Sequence, residues 1–164
     1  MTLSRPRQEP LNLELNSKFE AEYGETSFLS HNVCVHLPDG SSCEIRGNAF
    51  KLSGSLELQG RNIIFDGETL LSNDTIIASY NYSSGVMGVG QSFSLVDPNG
   101  QYMFALRPQG FFSANHFIIS NRESTKTEIM RSFFGTKFSA NASGDTLPVI
   151  VILCLWVAMV KMSN

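Results

Sequence analysis

Cys34, His36 and Cys43 lie close together in the sequence, and their thiol and imidazole groups are typical zinc ligands. A structural zinc site needs four ligands, and all of them must converge on one ion. If the segment forms a hairpin around residues 38–40, Cys34 and His36 point outward whereas Cys43 points toward the core. The pattern therefore predicts ordinary strand residues and no metal site.

Two further segments contain the residue types of a phosphate-binding or catalytic site without the required spacing. The glycine-rich segment 85–90 is not followed by the Lys-Ser/Thr pair of a phosphate-binding loop, so it is interpreted as a loop at a corner of a sheet. His116 could be combined with serines and carboxylates elsewhere in the chain into a Ser-His-Asp triad. However, the sequence lacks the Gly-x-Ser-x-Gly motif that presents a nucleophilic serine. These patterns predict a protein that is not an enzyme and that binds no cofactor.

Charged residues are distributed unevenly along the chain, although the net charge is only −3. Residues 1–100 contain twelve carboxylates and six Lys or Arg, whereas residues 101–164 contain three carboxylates and six Lys or Arg. The basic half is interpreted as either a solvated face or an anion-binding surface, since phosphate groups need charge-assisted donors at short range. The predicted ligand-binding residues are Arg107, Arg122, Lys126 and Arg131. The acidic balance of the whole chain argues against a nucleic-acid partner.

The length of 164 residues and the 12 phenylalanines indicate one domain with one hydrophobic core. Residues 1–15 are predicted to be a flexible lead-in, and residues 16–164 a single domain. Three cysteines are too few for a disulfide framework, and the first residues contain no apolar run of the kind found in a secretory signal. We therefore expect a cytoplasmic protein, peripheral to a membrane if it binds lipid.

Short apolar runs separated by turn residues, such as FKLSGSLEL at 50–58, predict about ten to twelve strands of a β-sandwich or barrel. In the hairpin around residues 38–40, a three-residue loop with Gly40 in the left-handed conformation places Val33 opposite Ile45 and keeps the apolar side chains on one face. In the hairpin around residues 97–100, a loop of two or four residues has the same effect.

The segment 147–160 is an uncharged run of fourteen residues, LPVIVILCLWVAMV. As a helix it would be about 21 Å long, which is short for the ~30 Å apolar core of a bilayer and more typical of a helix enclosed by protein. The β-branched residues 149–152 are also compatible with a strand. If the segment is a helix, Asp145 or Thr146 is expected to cap it, with Pro148 in the first turn.

Three segments together resemble the tubby-like superfamily, which groups tubby C-terminal domains, phospholipid scramblases and the plant LURP-one-related proteins. CEIRGNAFKLSGSLELQGRNIIFDGETL at 43–70 resembles the early strands of the family and their Asp-Gly turn. SFSLVDPNGQYMFALRP at 92–108 resembles the hairpin that opens the second half, and DTLPVIVILCLWVAMV at 145–160 resembles the closing helix. The resemblance is closest to the LURP-one-related type.

This resemblance implies a mainly-β fold, in which a closed antiparallel barrel of about twelve strands surrounds a buried hydrophobic C-terminal helix at 147–161. It also implies a non-enzymatic binding module whose partner is a membrane phospholipid or phosphoinositide headgroup, or a protein. In the tubby branch, basic side chains on the barrel bind such a headgroup, and the four basic residues named above would have that role here. The alternative is a tail-anchored or lipid-anchored protein with residues 147–160 as its anchor.

Overall fold

Twelve β-strands and one helix make up the part of the chain described by a computed structural model, namely residues 17–85, 90–109, 115–121, 126–132, 136–142 and 147–163. The predicted lead-in, residues 1–15, lies outside the described residues. The elements are β1 (Ser17–Thr26), β2 (His31–His36), β3 (Ser42–Asn48), β4 (Ser53–Leu58), β5 (Arg61–Asp66), β6 (Thr69–Ser72), β7 (Thr75–Ser83), β8 (Ser92–Val96), β9 (Tyr102–Pro108), β10 (His116–Asn121), β11 (Lys126–Arg131), β12 (Lys137–Ala142) and α1 (Pro148–Val157).

The strands form a closed antiparallel barrel in which each strand pairs with the strands that precede and follow it in the sequence. The barrel closes where β1 pairs with β12, with Phe19 opposite Ala140 and Ala21 opposite Phe138. All four of these side chains are buried, so the closing pair of strands also contributes to the core. Closure satisfies the backbone groups that an open sheet would leave unpaired at its edges. The predicted mainly-β class and the closed twelve-stranded barrel are confirmed.

The hairpin between β2 and β3 has the three-residue loop that the sequence predicts. Val33 lies opposite Ile45, and both side chains are fully buried. The N–H of Leu37 donates to the carbonyl of Ser41 at 2.8 Å, which closes the loop, and Gly40 has a φ of +92°. The observed register confirms the prediction. It forms because alternation along a strand permits only one register with every apolar side chain on the inner face.

The hairpin between β8 and β9 differs from its prediction, which was a loop of two or four residues. The N–H of Asp97 donates to the carbonyl of Gln101 at 2.8 Å, so the loop contains the three residues 98–100. The register then shifts by one residue at Met103, which makes a β-bulge. The bulge adds one residue to β9, and this offsets the odd number of residues in the loop. Phe104 therefore faces the core.

The C-terminal segment is a helix enclosed by the barrel, as predicted. Residues 149–160 are each at most 9% exposed, on every side of the helix. After α1 the chain continues as a π-helical turn, Ala158–Met162. The helix contacts strands on different sides of the barrel, because the Tyr23 hydroxyl of β1 donates to the carbonyl of Met159 at 2.9 Å while the ring of Phe65 in β5 packs on Trp156. The helix α1 therefore fills the centre of the barrel and forms part of the hydrophobic core.

The start of the helix differs from the predicted cap. Leu147 occupies the N-cap position without a side-chain hydrogen bond, and Asp145 and Thr146 lie outside the described residues. Pro148 is the first helical residue, as predicted, where its fixed φ suits the helix and its missing N–H costs nothing. Among the described residues, no helix has the length and hydropathy that crossing a membrane requires.

Candidate functional site

The basic residues predicted to bind an anion do not form one cluster within the described part of the chain. Arg107 is exposed near the end of β9. Lys126 and Arg131 are the first and last residues of β11, so their Cα atoms are about 17 Å apart at ~3.3 Å per residue. That separation exceeds the Debye length of about 8–10 Å at physiological salt. Arg122 lies outside the described residues.

Arg131 also differs from Arg107 in the side of the sheet that it occupies. It shares the inward positions of β11 with Ile129, and its guanidinium carbon lies 5.4 Å from the centre of the Phe138 ring. On the outer face, Arg107 is in register with Ile118 and Ile118 with Glu128, which places a carboxylate about 10 Å from Arg107 at ~4.8 Å per strand. This arrangement disperses the positive charge that a phosphate would need.

Cys34 and Cys43 lie on opposite faces of the sheet. Cys43 packs against the core, and burial raises its pKa to about 11. Cys34 lies in register with Glu22 and Glu44, and its pKa is raised first by burial and then by these two carboxylates. Both environments disfavour the thiolate, which is the reactive and metal-binding form. In the part of the chain that the structure describes, no group of three His, Cys, Asp or Glu side chains is placed to hold a metal.

The most exposed large hydrophobic side chains of the described residues lie in two neighbouring loops at one end of the barrel. Phe28 and Leu29 are in the β1–β2 loop and are 81% and 66% exposed, and Phe50 is in the β3–β4 loop and is 69% exposed. The ring centroids of Phe28 and Phe50 are 6.2 Å apart, so the loops present one continuous patch. We call Phe28, Leu29 and Phe50 the aromatic surface.

The aromatic surface is not apparent from the sequence. Phe50 begins the apolar run 50–58, which predicts one strand, but β4 begins only at Ser53 and residues 50–52 belong to the loop. Phe28 and Leu29 stand between Ser27 and Ser30, and this is the signal for a loop that presents apolar side chains. Nothing in the sequence pairs the two loops.

Hydrogen bonds connect each loop to the end of the strand beside the other loop, and one of these strand ends to the helix. The N–H of Ala49 donates to Nδ1 of His31 at 3.0 Å, and the side-chain amide of Asn48 donates to the carbonyl of Leu29 at 3.2 Å. Nε1 of Trp156 donates to the carbonyl of His31 at 2.7 Å. The aromatic surface is therefore held in place by the core of the barrel.

Tyr80 holds the other side of the β3–β4 loop. Its hydroxyl donates to the carbonyl of Leu52 at 2.6 Å and accepts the N–H of Gly67 at 2.6 Å. Leu52 has a φ of +51°, a conformation that is unfavourable for a leucine and persists only where the surroundings fix it. Burial raises the pKa of Tyr80 to about 12, and the charges of Asp66 and Glu68 contribute to the rise.

Replacing Tyr80 with phenylalanine is expected to lower the free energy of unfolding by about 1–3 kcal/mol, because the carbonyl of Leu52 and the N–H of Gly67 lose their partner. Chemical denaturation at pH 7 measures this loss. The pKa is about 12 in the folded protein and about 10 in the unfolded chain, so the stability provided by the neutral hydroxyl is complete below pH 10 and decreases as the pH rises toward 12.

A denaturation series from pH 8 to pH 11.5 therefore separates the two proteins. The stability of the wild type should fall more steeply above pH 10 than that of Tyr80→Phe. Equal slopes would contradict the hydrogen-bonded, buried environment of this hydroxyl.

A polar groove of about 520 Å³ lies beside the aromatic surface and shares Leu29 with it. Glu25 and Glu44 are the carboxylates of the groove, and Arg46 is its cation. Nε of Arg46 lies 3.1 Å from Oε1 of Glu44, but the arginine side chain is 74% exposed, so this ion pair is weak. The lining also includes Ser30, Asn32 and Asn48.

Acidic residues outnumber basic ones in the groove and in the two loops that adjoin the aromatic surface. The β5–β6 turn, which carries Asp66 and Glu68, lies against the β3–β4 loop, because a Cβ atom on Gly67 would be 3.2 Å from the carbonyl oxygen of Lys51. Together with Glu25 and Glu44 of the groove there are four carboxylates, and the basic side chains among these neighbours are Arg46 and Lys51. The surroundings of the aromatic surface are therefore negative.

Comparison of the chain with protein-family models, with curated proteins and with solved structures gave no match. The function is therefore inferred from the surface of the barrel itself. That surface presents the aromatic surface, the polar groove and the negative charge around both.

Proposed function

We propose that this protein is a non-catalytic binding module of the tubby-like type and that it binds a protein partner through the aromatic surface. The observation that carries the proposal is that Phe28, Leu29 and Phe50 are 66–81% exposed and adjacent, although hydrogen bonds fix the loops that present them. A single exposed apolar side chain needs no explanation, whereas a contiguous patch on a monomer typically marks an interaction site.

The hydrogen bonds that hold the loops support binding rather than a chance exposure. His31 and Asn48 form hydrogen bonds with the β3–β4 and β1–β2 loops, respectively. Trp156 of the helix donates a hydrogen bond to His31, and Tyr80 donates one to Leu52 of the β3–β4 loop. A preorganised surface loses less conformational entropy when it binds, and large aromatic side chains are the residues that contribute most at protein interfaces. Both properties are expected of a binding site.

The tubby-like assignment is supported by the architecture. A closed barrel of twelve antiparallel strands around a buried C-terminal helix is what the resemblance implies. The alternative role of residues 147–160 as a membrane anchor is less well supported, because residues 149–160 are at most 9% exposed within the barrel.

A protein partner is favoured over a phospholipid headgroup by the distribution of charge. Four carboxylates and two basic residues surround the aromatic surface and its groove, and anionic lipid would be repelled there. The basic residues that would attract a headgroup are spread over the other half of the barrel, with Lys126 and Arg131 at opposite ends of β11. Binding to lipid is therefore the rival outcome of the test.

Peptides selected from a displayed random library on the immobilised full-length protein provide a probe of this site. We expect the double variant Phe28→Ser with Phe50→Ser to bind the selected peptides at least about 30-fold more weakly, because each aromatic side chain at such a site contributes roughly 1–2 kcal/mol or more. Fluorescence anisotropy with labelled peptides measures the affinities.

The matched control is Ile76→Ser, which removes an exposed apolar side chain of β7 that lies outside the aromatic surface. It should leave peptide affinity unchanged, and both variants should unfold at the temperature of the wild type. Phosphatidylcholine vesicles with and without phosphoinositide form the second arm of the test. Equal peptide affinity for wild type and double variant, or vesicle binding that depends on Phe28 and Phe50, would overturn the proposal.

A further inference from the structure

We infer that the partner of the aromatic surface is a peptide segment with an apolar side chain close in sequence to a lysine or arginine, and that the basic side chain enters the polar groove. The inference rests on the proposed function and specifies its partner. Leu29 belongs both to the aromatic surface and to the lining of the groove, so one short segment reaches both.

Glu25 is directed into the groove by an irregularity in β1. The pairing of β1 with β2 shifts by one residue between Tyr23 and Thr26, so Gly24 and Glu25 lie in a β-bulge. Bulges often redirect a side chain beside a functional site. The Glu25 side chain is exposed and lines the groove, and among the described residues it forms neither an ion pair nor a side-chain hydrogen bond. Its charge is thus available to a partner.

Glu44 brings a second carboxylate to the same bulge. Its Oε1 contacts Arg46, whereas its Oε2 would be 3.5 Å from a Cβ atom on Gly24, the residue that precedes Glu25. Two carboxylates beside one bulge, with one highly exposed arginine, leave a net negative charge in the groove. A lysine or arginine of the partner would form charge-assisted hydrogen bonds there, and these are stronger than hydrogen bonds between neutral groups.

Asn32 supplies a donor for the backbone of the same segment. Its side chain is 8% exposed and lines the groove, and its Oδ1 accepts a hydrogen bond from the Ser30 hydroxyl at 3.1 Å. Within the described residues the amide nitrogen of this side chain forms no hydrogen bond, so its two N–H groups remain for an acceptor such as a peptide carbonyl. The groove therefore offers acceptors for a basic side chain and a donor for a main-chain carbonyl.

The displayed library tests the inference through the composition of the selected peptides. We expect enrichment of peptides in which a lysine or arginine lies within a few residues of an aromatic or aliphatic residue. The double variant Glu25→Gln with Glu44→Gln should bind them about tenfold more weakly than the wild type, and raising NaCl from 0.15 to 0.5 M should weaken binding of the wild type more than that of the variant.

Asp74→Asn is the matched control, because it removes one carboxylate in the β6–β7 turn at the other end of the barrel and should leave affinity unchanged. If the selected peptides require Phe28 and Phe50 but contain no excess of basic residues, or if they bind the glutamine double variant as well as the wild type, the inference is overturned and the proposed function stands. If peptide affinity is indifferent to Phe28 and Phe50, both are overturned.

Discussion

Replacing Trp156 with alanine is expected to lower the free energy of unfolding by about 3–5 kcal/mol, the largest effect of any substitution considered for this barrel. The side chain is fully buried at the centre of the barrel, and its ring packs edge-on against Phe65 with centroids 5.1 Å apart. Alanine would leave a cavity between helix and sheet and would deprive the carbonyl of His31 of its donor. Urea denaturation followed by circular dichroism measures the loss.

Trp156→Phe is the matched control for this experiment. It keeps an aromatic ring but loses the hydrogen bond to His31, so its cost should be clearly smaller than that of alanine. Trp156 is the one tryptophan of the chain, so the wild type itself offers a second measurement: its fluorescence should shift to longer wavelength on unfolding. A cost below about 1 kcal/mol for alanine would show that the barrel does not enclose the helix as described.

Replacing Gly54 with alanine is expected to cost about 3 kcal/mol, at the upper end of the usual range for overpacking. Gly54 of β4 is paired with Gly47 of β3. A Cβ atom on Gly54 would collide with the backbone carbonyl of Arg46, would lie 2.6 Å from Cζ of Phe65 and would lie 2.8 Å from Cα of Gly47. Two of these three contacts are with backbone atoms, which cannot rotate away. Thermal and urea denaturation measure the change.

Ser55→Ala provides the control, because it changes the exposed neighbour of Gly54 in the same strand and should alter stability by less than about 0.5 kcal/mol. A second comparison tests the cause. Gly47→Ala places its Cβ 2.7 Å from Cζ2 of Trp156, so it should cost less in the Trp156→Phe background than in the wild type. A Gly54→Ala protein as stable as Ser55→Ala would contradict the close approach of these strands.

The aromatic surface depends on Trp156. Trp156 donates to the backbone of His31, whose ring accepts the N–H of Ala49 beside Phe50. Loss of the tryptophan is therefore expected to weaken binding at the surface as well as stability. The Trp156→Phe variant, which keeps most of the packing, would show how much of the binding depends on that one hydrogen bond.

The sequence by itself determined the class of fold and the place of the helix. Short alternating runs with turn residues between them predict strands, because a period of two places Val33 and Val35 on one buried face. An uncharged run at 147–160 must be enclosed on all sides, and its length favours enclosure by protein over a bilayer. Strand alternation and the length of an apolar run depend only on residues that are close in the sequence. A sequence pattern therefore reveals them.

Only the tertiary structure decided the registers that bulges change and the residues that meet in space. The bulge at Met103 restores the register that keeps Phe104 on the core face, although no turn residue in the sequence indicates a bulge there. Gly24 and Glu25 form a bulge of the same kind. Lys126 and Arg131 are close in sequence, but an extended strand places its two ends far apart. Phe28 and Phe50 are 22 positions apart and come into contact because the connections of an antiparallel barrel alternate between its two ends. A surface assembled from separate loops depends on how the sheet closes, and closure is a property of the whole chain.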